Sequence, residues 1–277
     1  MHPPTGTLWV VATPIGHLDD LSPRAVDTLR RAALIAAEDT RHSRPLLAHY
    51  GIAGALTALH EHNEREAVAA LLARLAAGDD VALIADAGTP LISDPGYRLV
   101  RAARAAGFRV SPVPGACAAI AALSVAGLAS DRFVFEGFLP AKPIARHARL
   151  QALSGEPRTL VFYESSHRIE ESLTDFAAVF GAGREAVLAR ELTKRFETVL
   201  ALPLGELATR VAADADQRRG EFVLLVAGHA EAEDERLPEG RRVDALLREE
   251  LPPARAARLA AAITGAPRRA LYAGNEN

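Results

Sequence analysis

Residues 8–23 read LWVVATPIGHLDDLSP, an apolar run that passes through a turn containing Pro and Gly into the start of a helix. The apolar residues Leu8–Ala12 are typical of a buried strand. Ser22 precedes Pro23, and a Ser N-cap with Pro at the first helical position predicts a helix over Pro23–Ala33. A buried strand, a turn and a helix in this order are the repeating unit of an α/β sheet, so this stretch indicates the fold class.

The same unit recurs along the first half of the chain. Strands are predicted at Leu34–Ala37, Val81–Ala85 and Phe108–Val110, and helices at Glu64–Ala77 and Pro95–Ala106. Asp94-Pro95 repeats the capping pattern of Ser22-Pro23. Strands that alternate with helices predict an α/β domain with a mainly parallel sheet.

A second series of elements begins near Asp131. Its predicted strands are Phe133–Phe138, Arg158–Tyr163, Ala186–Arg190, Thr198–Leu202 and Glu221–Ala227, and its predicted helices are Ile144–Leu153, Ile169–Phe180 and Leu204–Asp214. Some of these strands follow one another directly, which predicts a mixed sheet. We therefore expect two α/β domains, residues 1–128 and 129–230, and a small helical module over residues 236–277.

The composition is that of a globular protein, with 49% hydrophobic and 24% charged residues in a chain of 277. Cys117 is the single cysteine, which excludes a disulfide framework and a cysteine-based zinc site. The sequence lacks a run of about 18 apolar residues that would predict a membrane span. Met1–Thr7 lacks the basic and apolar regions of a secretory signal. We therefore expect a soluble cytoplasmic protein.

The charge is unevenly distributed around a net value of −3. Residues 236–277 hold eight arginines against five acidic residues, a net of +3, so the first 235 residues carry −6. The acidic run Glu231-Ala232-Glu233-Asp234-Glu235 lies between them and is typical of a linker. This asymmetry fits either a basic appendage for an anionic partner or a small helical tail with a solvated arginine face.

Three turns at the ends of predicted strands combine Gly, Pro and small polar residues. They are Ala12-Thr13-Pro14-Ile15-Gly16, Asp86-Ala87-Gly88-Thr89-Pro90 and Pro112-Val113-Pro114-Gly115-Ala116-Cys117. Ligands of open α/β sheets bind outside the carboxyl ends of the strands, so three such turns on one edge would line a cleft for a polar cofactor. The alternative is that each of them is only a tight turn.

Common nucleotide and hydrolase motifs are missing. The sequence has no G-x-x-x-x-G-K-[ST] phosphate loop, and Gly181-Ala182-Gly183, its one G-x-G, follows a helix and precedes a strand. NAD and ATP are therefore disfavoured, and a cofactor without a polyphosphate fits better. The chain also lacks the G-x-S-x-G elbow of a hydrolase. His60 and His62 have no obvious third ligand beside them, so we predict no metal site.

Motifs in the same order along the chain resemble one known family. They are Trp9–Gly16, Ala37–Arg41, His60–Glu64, Asp86–Pro90, Ser93–Gly96, Phe135–Pro140, Tyr163–Ser165, Glu191–Lys194 and Gly220–Phe222. Val243–Tyr272 in turn resembles the small C-terminal helical module of that family. On these residues the chain resembles the ribosomal RNA small subunit methyltransferase I family, part of the tetrapyrrole-methylase-like class of S-adenosylmethionine enzymes.

The resemblance implies two domains with S-adenosylmethionine in the cleft between them, and commonly a homodimer. By position, the implied cofactor contacts are Pro14, Ile15, Asp86, Gly88, Thr89, Cys117, Ala118, Tyr163, Leu192 and Phe222. Some residues depart from the family pattern, in which Asn is usual at His17, Ser at Ala85 and Ser at Cys117. The Cys117 change removes a hydroxyl near the implied cofactor.

The implied reaction is methyl transfer to the ribose 2′-hydroxyl of a decoding-centre cytidine in 16S rRNA. A sulfonium is a good leaving group, so the main task is to align donor and acceptor. The hydroxyl gains from a nearby base or from a cation that stabilises a developing alkoxide. The chemically suitable residues are Lys194, Glu164, Asp39 and Arg41. Ion pairing among these residues explains their presence equally well.

An RNA substrate requires positive charge that contacts phosphates. We predict such contacts at Lys142, Arg146 and Arg149 after Pro140, and at Arg241, Arg242, Arg268 and Arg269 in the tail. The partner would be 16S rRNA or the small ribosomal subunit. Two alternatives stay open: a methyltransferase that acts on a tetrapyrrole, and an RNA-binding assembly factor without catalysis. The basic tail argues against the first, and the retained Asp86–Pro90 turn argues against the second.

Overall fold

Five parallel strands form the first sheet. The computed structural model describes residues 6–60, 64–229 and 236–272. The strands are β1 (Thr7–Val11), β2 (Leu34–Ala37), β3 (Leu56–Ala58), β4 (Val81–Ile84) and β5 (Arg109–Val113). Their order across the sheet is β3-β2-β4-β1-β5, and every neighbouring pair is parallel. The predicted parallel sheet is therefore confirmed.

Helices cover both faces of this sheet. They are α1 (Pro23–Arg31), α2 (Thr40–His49), α3 (Glu64–Ala76) and α4 (Tyr97–Ala105). The core on one face contains Leu29 of α1 and Leu47 of α2. The core on the other face contains Leu75 of α3 and Leu99 of α4. Because strands covered on both sides bury every side chain, β4 is a continuous apolar run with no exposed residue.

The second sheet is mixed, as predicted. Its strands are β6 (Phe133–Phe138), β7 (Thr159–Ser165), β8 (Glu185–Arg190), β9 (Thr198–Pro203) and β10 (Glu221–Val226), in the order β6-β7-β10-β8-β9. The β6–β7 pair is parallel and the other pairs are antiparallel. The helices on this sheet are α5 (Ala118–Ala126), α6 (Pro143–Leu153), α7 (Ile169–Phe180) and α8 (Leu204–Ala213). Helix α5 packs on one face, against Val161, Val187 and Val223.

The passage from the first sheet to the second lies earlier than predicted. The predicted boundary between residues 128 and 129 assigns α5 to the first domain, whereas Ala122 and Leu123 of α5 pack on the second sheet. Gly127 ends that helix in the left-handed region at φ 69° rather than beginning a linker. The chain crosses between the sheets in the turn at residues 114–117.

Local helix signals were partly right. Ser22 Oγ accepts a hydrogen bond from the Ala25 N–H at 3.1 Å, which confirms the predicted cap of α1. The corresponding prediction for Asp94-Pro95 is wrong, because α4 begins at Tyr97 with Gly96 as its N-cap at φ 119°. This left-handed backbone favours glycine, and a Cβ at Gly96 would also lie 2.9 Å from Leu83 Cδ2. Asp94 is therefore not the N-cap of α4.

The chain divides into two units, residues 1–227 and 228–277. The second unit contains α9 (Leu237–Leu247), α10 (Pro253–Thr264) and α11 (Arg268–Tyr272), which confirms the predicted helical module. Its core includes Leu237, Ala257, Ala260 and Leu271. The predicted linker at 231–235 lies outside the described residues. No helix in the described part of the chain has both the length and the hydropathy needed to cross a bilayer.

Candidate functional site

The three predicted turns lie together at the carboxyl ends of adjacent strands. Strand β1 lies between β4 and β5, so the turns that follow these strands share one edge. The Thr13 N–H donates to the Gly88 carbonyl at 2.9 Å, and the Gly88 N–H donates to the Thr13 carbonyl at 3.1 Å. Thr89 Oγ1 donates to the Ala116 carbonyl at 2.9 Å, which connects the second turn to the third. The prediction that these turns form one cleft wall is confirmed.

The opposite wall comes from the second sheet. The loop after β8 approaches the first turn so closely that a Cβ at Gly16 would lie 2.5 Å from Lys194 Cγ and 2.9 Å from the Leu192 carbonyl oxygen. The His17 N–H donates to Thr193 Oγ1 at 3.1 Å. These contacts hold the two sheets of the first unit on either side of a cleft.

A cavity of about 410 Å³ opens in this cleft. Nine of the ten implied cofactor contacts line it: Ile15, Asp86, Gly88, Thr89, Cys117, Ala118, Tyr163, Leu192 and Phe222. Pro14 is buried in its turn and does not line the cavity. Of the proposed catalytic residues, Glu164 and Lys194 line the cavity, and Asp39 and Arg41 do not.

One side of the cavity is acidic. Asp86 Oδ1 accepts a hydrogen bond from the Asp39 N–H at 3.0 Å, and Asp86 Oδ2 lies 3.3 Å from His42 Nδ1. Glu38 and Asp94 line the same cavity. Burial of Asp94, together with the negative charges of Glu38 and Asp86, raises the pKa of Asp94 to about 7. The negative charges of Glu38 and Asp86 therefore make this side of the cavity suitable for a cationic ligand.

Aromatic rings form another part of the wall. The Tyr163 ring makes edge contacts with Phe135 and Phe138, at centroid distances of 5.0 and 5.6 Å. The hydroxyl of Tyr163 accepts a hydrogen bond from the Ala119 N–H at 3.2 Å. Burial, with a contribution from Cys117, raises the pKa of Tyr163 well above its usual range, so the phenol stays neutral. Phe138 is 52% exposed and also lines the cavity.

Lys194 is the cation of the cavity wall. Its Nζ lies 2.9 Å from Glu191 Oε1 and 2.7 Å from Glu221 Oε2. Burial opposes its charged form, but the hydrogen bonds to Glu221 and Glu191 outweigh burial and raise the pKa of Lys194 above its usual value. Lys194 is therefore protonated at neutral pH and is a poor proton acceptor.

Glu164 is committed to contacts within the protein. Its carboxylate accepts hydrogen bonds from the Ser165 N–H at 2.8 Å and from Ser172 Oγ at 2.6 Å. Arg168 Nη2 lies 2.8 Å from Glu164 Oε1, and the Glu164 side chain is only 3% exposed. Both carboxylate oxygens are therefore engaged by donors of the protein itself.

Asp39 and Arg41 form a local pair at the start of α2. The Arg41 side chain lies 2.7 Å from Asp39 Oδ2, and Asp39 Oδ1 accepts the Arg41 N–H at 2.8 Å as the N-cap. Hydrogen bonds from Arg41 hold the pKa of Asp39 well below its usual range, so this carboxylate is a weak base. Asp39 and Arg41 therefore form the ion pair that the sequence analysis gave as the alternative to a catalytic role.

Arg146 is wrongly predicted as an RNA contact. Its side chain is 2% exposed, and its guanidinium lies 2.6 Å from Asp175 and 3.3 Å from Glu171. Helical spacing alone does not reveal that α7 supplies these acidic partners. Arg149 is exposed but makes a bidentate pair with Glu136 at 2.7–2.8 Å.

The other proposed RNA contacts lie in exposed positions or outside the description. Lys142, Arg241 and Arg268 are exposed. Arg242 is exposed and pairs with Glu239 at 2.7 Å. The side chain of Arg269 is not among those described.

Sequence reasoning missed part of the cavity lining. Asp94 was interpreted as a helix cap, and Phe138 and Glu221 were quoted only as members of motifs. The signal that would have found Asp94 is Gly96, which takes the capping position instead. Within residues 6–60, 64–229 and 236–272, no group of three side chains suits a metal ion. Glu61, His62 and Asn63 lie outside those ranges, so the absence of a metal stays a prediction.

The lining fits S-adenosylmethionine. A volume of about 410 Å³ lies within the usual range for small-molecule sites, about 300–1,000 Å³. Gly88 has φ 82°, and a Cβ there would lie 3.2 Å from Ile15 Cγ2. Glycine at this position therefore leaves the backbone of the second turn accessible to a ligand in the cavity. Carboxylates suit the sulfonium and ammonium groups of this molecule, and the Leu192 and Phe222 side chains suit its adenine.

Comparisons with known proteins identify the family to which the chain belongs. The family model for tetrapyrrole (corrin/porphyrin) methylases matches residues 7–208, and the model for the RsmI C-terminal HTH domain matches residues 234–273. Ribosomal RNA small subunit methyltransferase I of Xylella fastidiosa strain Temecula1 is 63% identical, covering 97% of this chain and 98% of the relative. The protein of that name from Escherichia coli O157:H7 is 55% identical, covering 96% and 93%.

Solved structures show the same fold at low identity. Uroporphyrin-III-C-methyltransferase from Thermus thermophilus superposes with a TM-score of 0.56 at 23% identity, covering 80% of this chain and 94% of the other. Diphthine synthase gives a TM-score of 0.59 at 14% identity, covering 80% and 89%. The chain belongs to the ribosomal RNA small subunit methyltransferase I family of the tetrapyrrole methylases, and it is a methyltransferase whose methyl donor is S-adenosylmethionine.

Proposed function

We propose that this enzyme methylates the ribose 2′-hydroxyl of a decoding-centre cytidine in 16S rRNA, in the cytoplasm. The observation that carries the proposal is 63% identity along nearly the whole chain with a protein named for the small-subunit rRNA. That identity includes the C-terminal unit, which has its own match to an HTH model. A homodimer, implied by the family resemblance, is a further prediction that light scattering on the purified protein tests.

On the donor side, the cavity residues hold and orient the cofactor. We assign this role to Pro14, Ile15, Asp86, Gly88, Thr89, Cys117, Ala118, Tyr163, Leu192 and Phe222. When bound, S-adenosylmethionine supplies a methyl group on a sulfonium that leaves as a neutral thioether. The acidic residues favour the cation, and the aromatic rings of Phe135, Phe138 and Tyr163 reduce its contact with water. Pro14 acts through the turn, because it does not itself line the cavity.

On the acceptor side, the four proposed residues take different roles. Lys194 is a protonated amine in the wall, suited to stabilise negative charge that develops on the ribose oxygen. Glu164 positions Ser165 and Arg168. The Asp39–Arg41 pair holds the turn whose N–H donates to Asp86. None of these four residues is therefore assigned as the acceptor of the proton that the ribose 2′-hydroxyl loses.

Phosphate contacts are assigned to exposed cations. In the first unit these are Lys142 and Arg149, and in the second unit Arg241, Arg242 and Arg268. The sequence adds Arg269, whose side chain is not among those described. Such contacts fix the position of an RNA without reading its sequence. Phe138 offers an exposed ring at the cavity, and aromatic rings stack on unpaired bases in RNA recognition.

The test is incubation with methyl-labelled S-adenosylmethionine and small subunits that lack the modification, beside free 16S rRNA and uroporphyrinogen III. Nucleosides from the digested RNA are separated and identified by mass spectrometry. The proposal expects label in 2′-O-methylcytidine from the RNA. Label on a nucleobase or in the tetrapyrrole would contradict it.

A further inference from the structure

We propose that Asp94 is the general base that accepts the proton of the ribose 2′-hydroxyl, a role that rests on the proposed function. Asp94 lines the cavity that also contains Lys194 and the turns of the first sheet. It lies in the loop between β4 and α4, on the wall opposite the Lys194 loop. An anionic acceptor and a cationic stabiliser thus share one cavity.

The loop that carries Asp94 has an unusual backbone conformation, which contacts with neighbouring residues stabilise. Leu91 and Ser93 have φ values of 73° and 75°, and Gly96 has 119°, so three positions near Asp94 lie in the left-handed region. Such conformations cost free energy in residues other than glycine and persist where neighbouring contacts hold them. One such contact is with β6, because a Cβ at Gly137 would lie 2.9 Å from Ser93 Oγ. Asp94 is therefore held at the cavity by both sheets.

Asp94 differs from the other carboxylates of the site in its partners. Glu164 has both oxygens occupied, Asp39 pairs with Arg41, and Glu221 pairs with Lys194. Asp86 accepts a hydrogen bond from the Asp39 N–H. Within the described residues, the Asp94 carboxyl takes part in no hydrogen bond or ion pair. Its oxygens are therefore free to accept a proton from a ligand.

The charges around Asp94 tune it for this task. Glu38 at the end of β2 and Asp86 at the end of β4 oppose its ionisation, and burial acts in the same direction, so that its pKa is about 7. Tyr163 faces it from β7 and is neutral. The other titratable groups of the cavity wall are Cys117, Glu164, Lys194 and Glu221. A base is most effective when its pKa lies near the working pH, and Asp94 meets that condition.

The step balances without another reactant. The proton of the 2′-hydroxyl passes to a carboxylate oxygen of Asp94 as the hydroxyl oxygen bonds to the methyl carbon. The electron pair of the broken carbon–sulfur bond stays on sulfur, which leaves as a neutral thioether. Asp94 then loses its proton to solvent and is ready for another turnover.

The test uses Asp94→Asn, which keeps the shape and removes the base, and Asp94→Glu, which restores a carboxylate. Asp131→Asn is the matched control, because Asp131 is 74% exposed and pairs only with Arg132 among the described residues. Three quantities are measured for each full-length protein: the single-turnover rate on RNA against pH, the S-adenosylmethionine Kd by calorimetry, and the melting temperature. Carbon-13 NMR of the cofactor-free protein follows the carboxyl signal that disappears in Asp94→Asn.

Asp94→Asn is expected to lower the single-turnover rate by about 100-fold, the lower end of general-base contributions, with Kd changed by less than about fivefold. The wild-type rate should rise with pH up to about 7 and then level off, because only ionised Asp94 accepts the proton. Asp94→Asn should lose this dependence, Asp94→Glu should recover part of the rate, and the Asp94 carboxyl should titrate near pH 7.

Three results would overturn the role of Asp94 alone. They are a full rate for Asp94→Asn on RNA that the wild type methylates, a rate loss matched by an equal loss of cofactor affinity, or a carboxyl that titrates near pH 4. Failure of the wild type to methylate ribose would overturn the proposed function and this inference together. The NMR titration needs no RNA, so it distinguishes the two failures.

Discussion

Gly16→Ala tests whether the close approach of the two sheets builds the cofactor site. An added Cβ would lie 2.5 Å from Lys194 Cγ, 2.6 Å from Thr193 Oγ1 and 2.9 Å from the Leu192 carbonyl oxygen. Lys194 is held by Glu191 and Glu221, and the Leu192 oxygen belongs to the backbone, so neither neighbour can move freely. The loop after β8 must shift as a whole.

The loss of stability in Gly16→Ala can be estimated from the effect of overpacking in other proteins. Extra methyl groups in well-packed regions destabilise proteins by about 1–3 kcal/mol, and the backbone contact favours the upper half of that range. For a unit of this size, each kcal/mol lowers Tm by about 2–4 °C, so we expect a fall of about 5–10 °C. Leu192 lines the cavity, and its displacement should weaken S-adenosylmethionine binding about tenfold, which is about 1.4 kcal/mol.

The assay combines a thermal melt with calorimetric titration of the cofactor. Gly155→Ala is the matched control, because a Cβ at Gly155 would meet nothing within 4 Å. That variant should keep the wild-type affinity and melt at the same or a slightly higher temperature. If Gly16→Ala also melts and binds like the wild type, the contact between the turn and the Lys194 loop does not shape the site.

Three further predictions concern the donor, the second unit and metals. Asp86→Ala should weaken cofactor binding about tenfold or more in calorimetry, since charge-assisted bonds contribute about 1.5–3 kcal/mol each; a lower Tm with unchanged affinity would instead assign Asp86 to holding the Asp39 turn. Removal of residues 236–277 should leave cofactor affinity intact and damage RNA methylation. The plot of log affinity against log salt should flatten by about 0.7–0.9 for every phosphate that the removed arginines neutralise, and full activity of a well-folded truncation would refute this role. Cofactor affinity should survive treatment with a chelator, whereas a loss restored by a divalent ion would reveal a metal site.

Much of the fold followed from local patterns in the sequence. Buried strands such as Val81–Ile84 are apolar throughout, and Ser22-Pro23 marks a helix start that the structure confirms. Helix α2 was missed because its first turn is polar and Pro45 lies inside it. Helix α5 was missed because a helix made mainly of small apolar residues has little amphipathic contrast. Both depend on tertiary packing that periodicity does not reveal.

The site was predicted best where backbone geometry determines it. The three turns were found because parallel strands bring their carboxyl ends to one edge, which requires no knowledge of side-chain partners. Predictions for charged side chains fared worse, since ionic partners come from distant elements. Arg146 is neutralised by Asp175 of α7, and Glu164 is bound by Ser172 of the same helix. Asp94 was not predicted as a site residue because the dipeptide Asp94-Pro95 is also typical of a helix N-terminus.

The most direct test of the proposed activity is the chemistry of the product RNA. A 2′-O-methyl group removes the nucleophile that attacks the neighbouring phosphate in alkali, so a methylated nucleotide resists hydrolysis. Small subunits that lack the modification are treated with the enzyme and S-adenosylmethionine, and their 16S rRNA is then partially hydrolysed in alkali and resolved to single nucleotides. The proposal predicts one new gap in the ladder, at a decoding-centre cytidine. An unbroken ladder from RNA that has incorporated the methyl group would contradict ribose methylation.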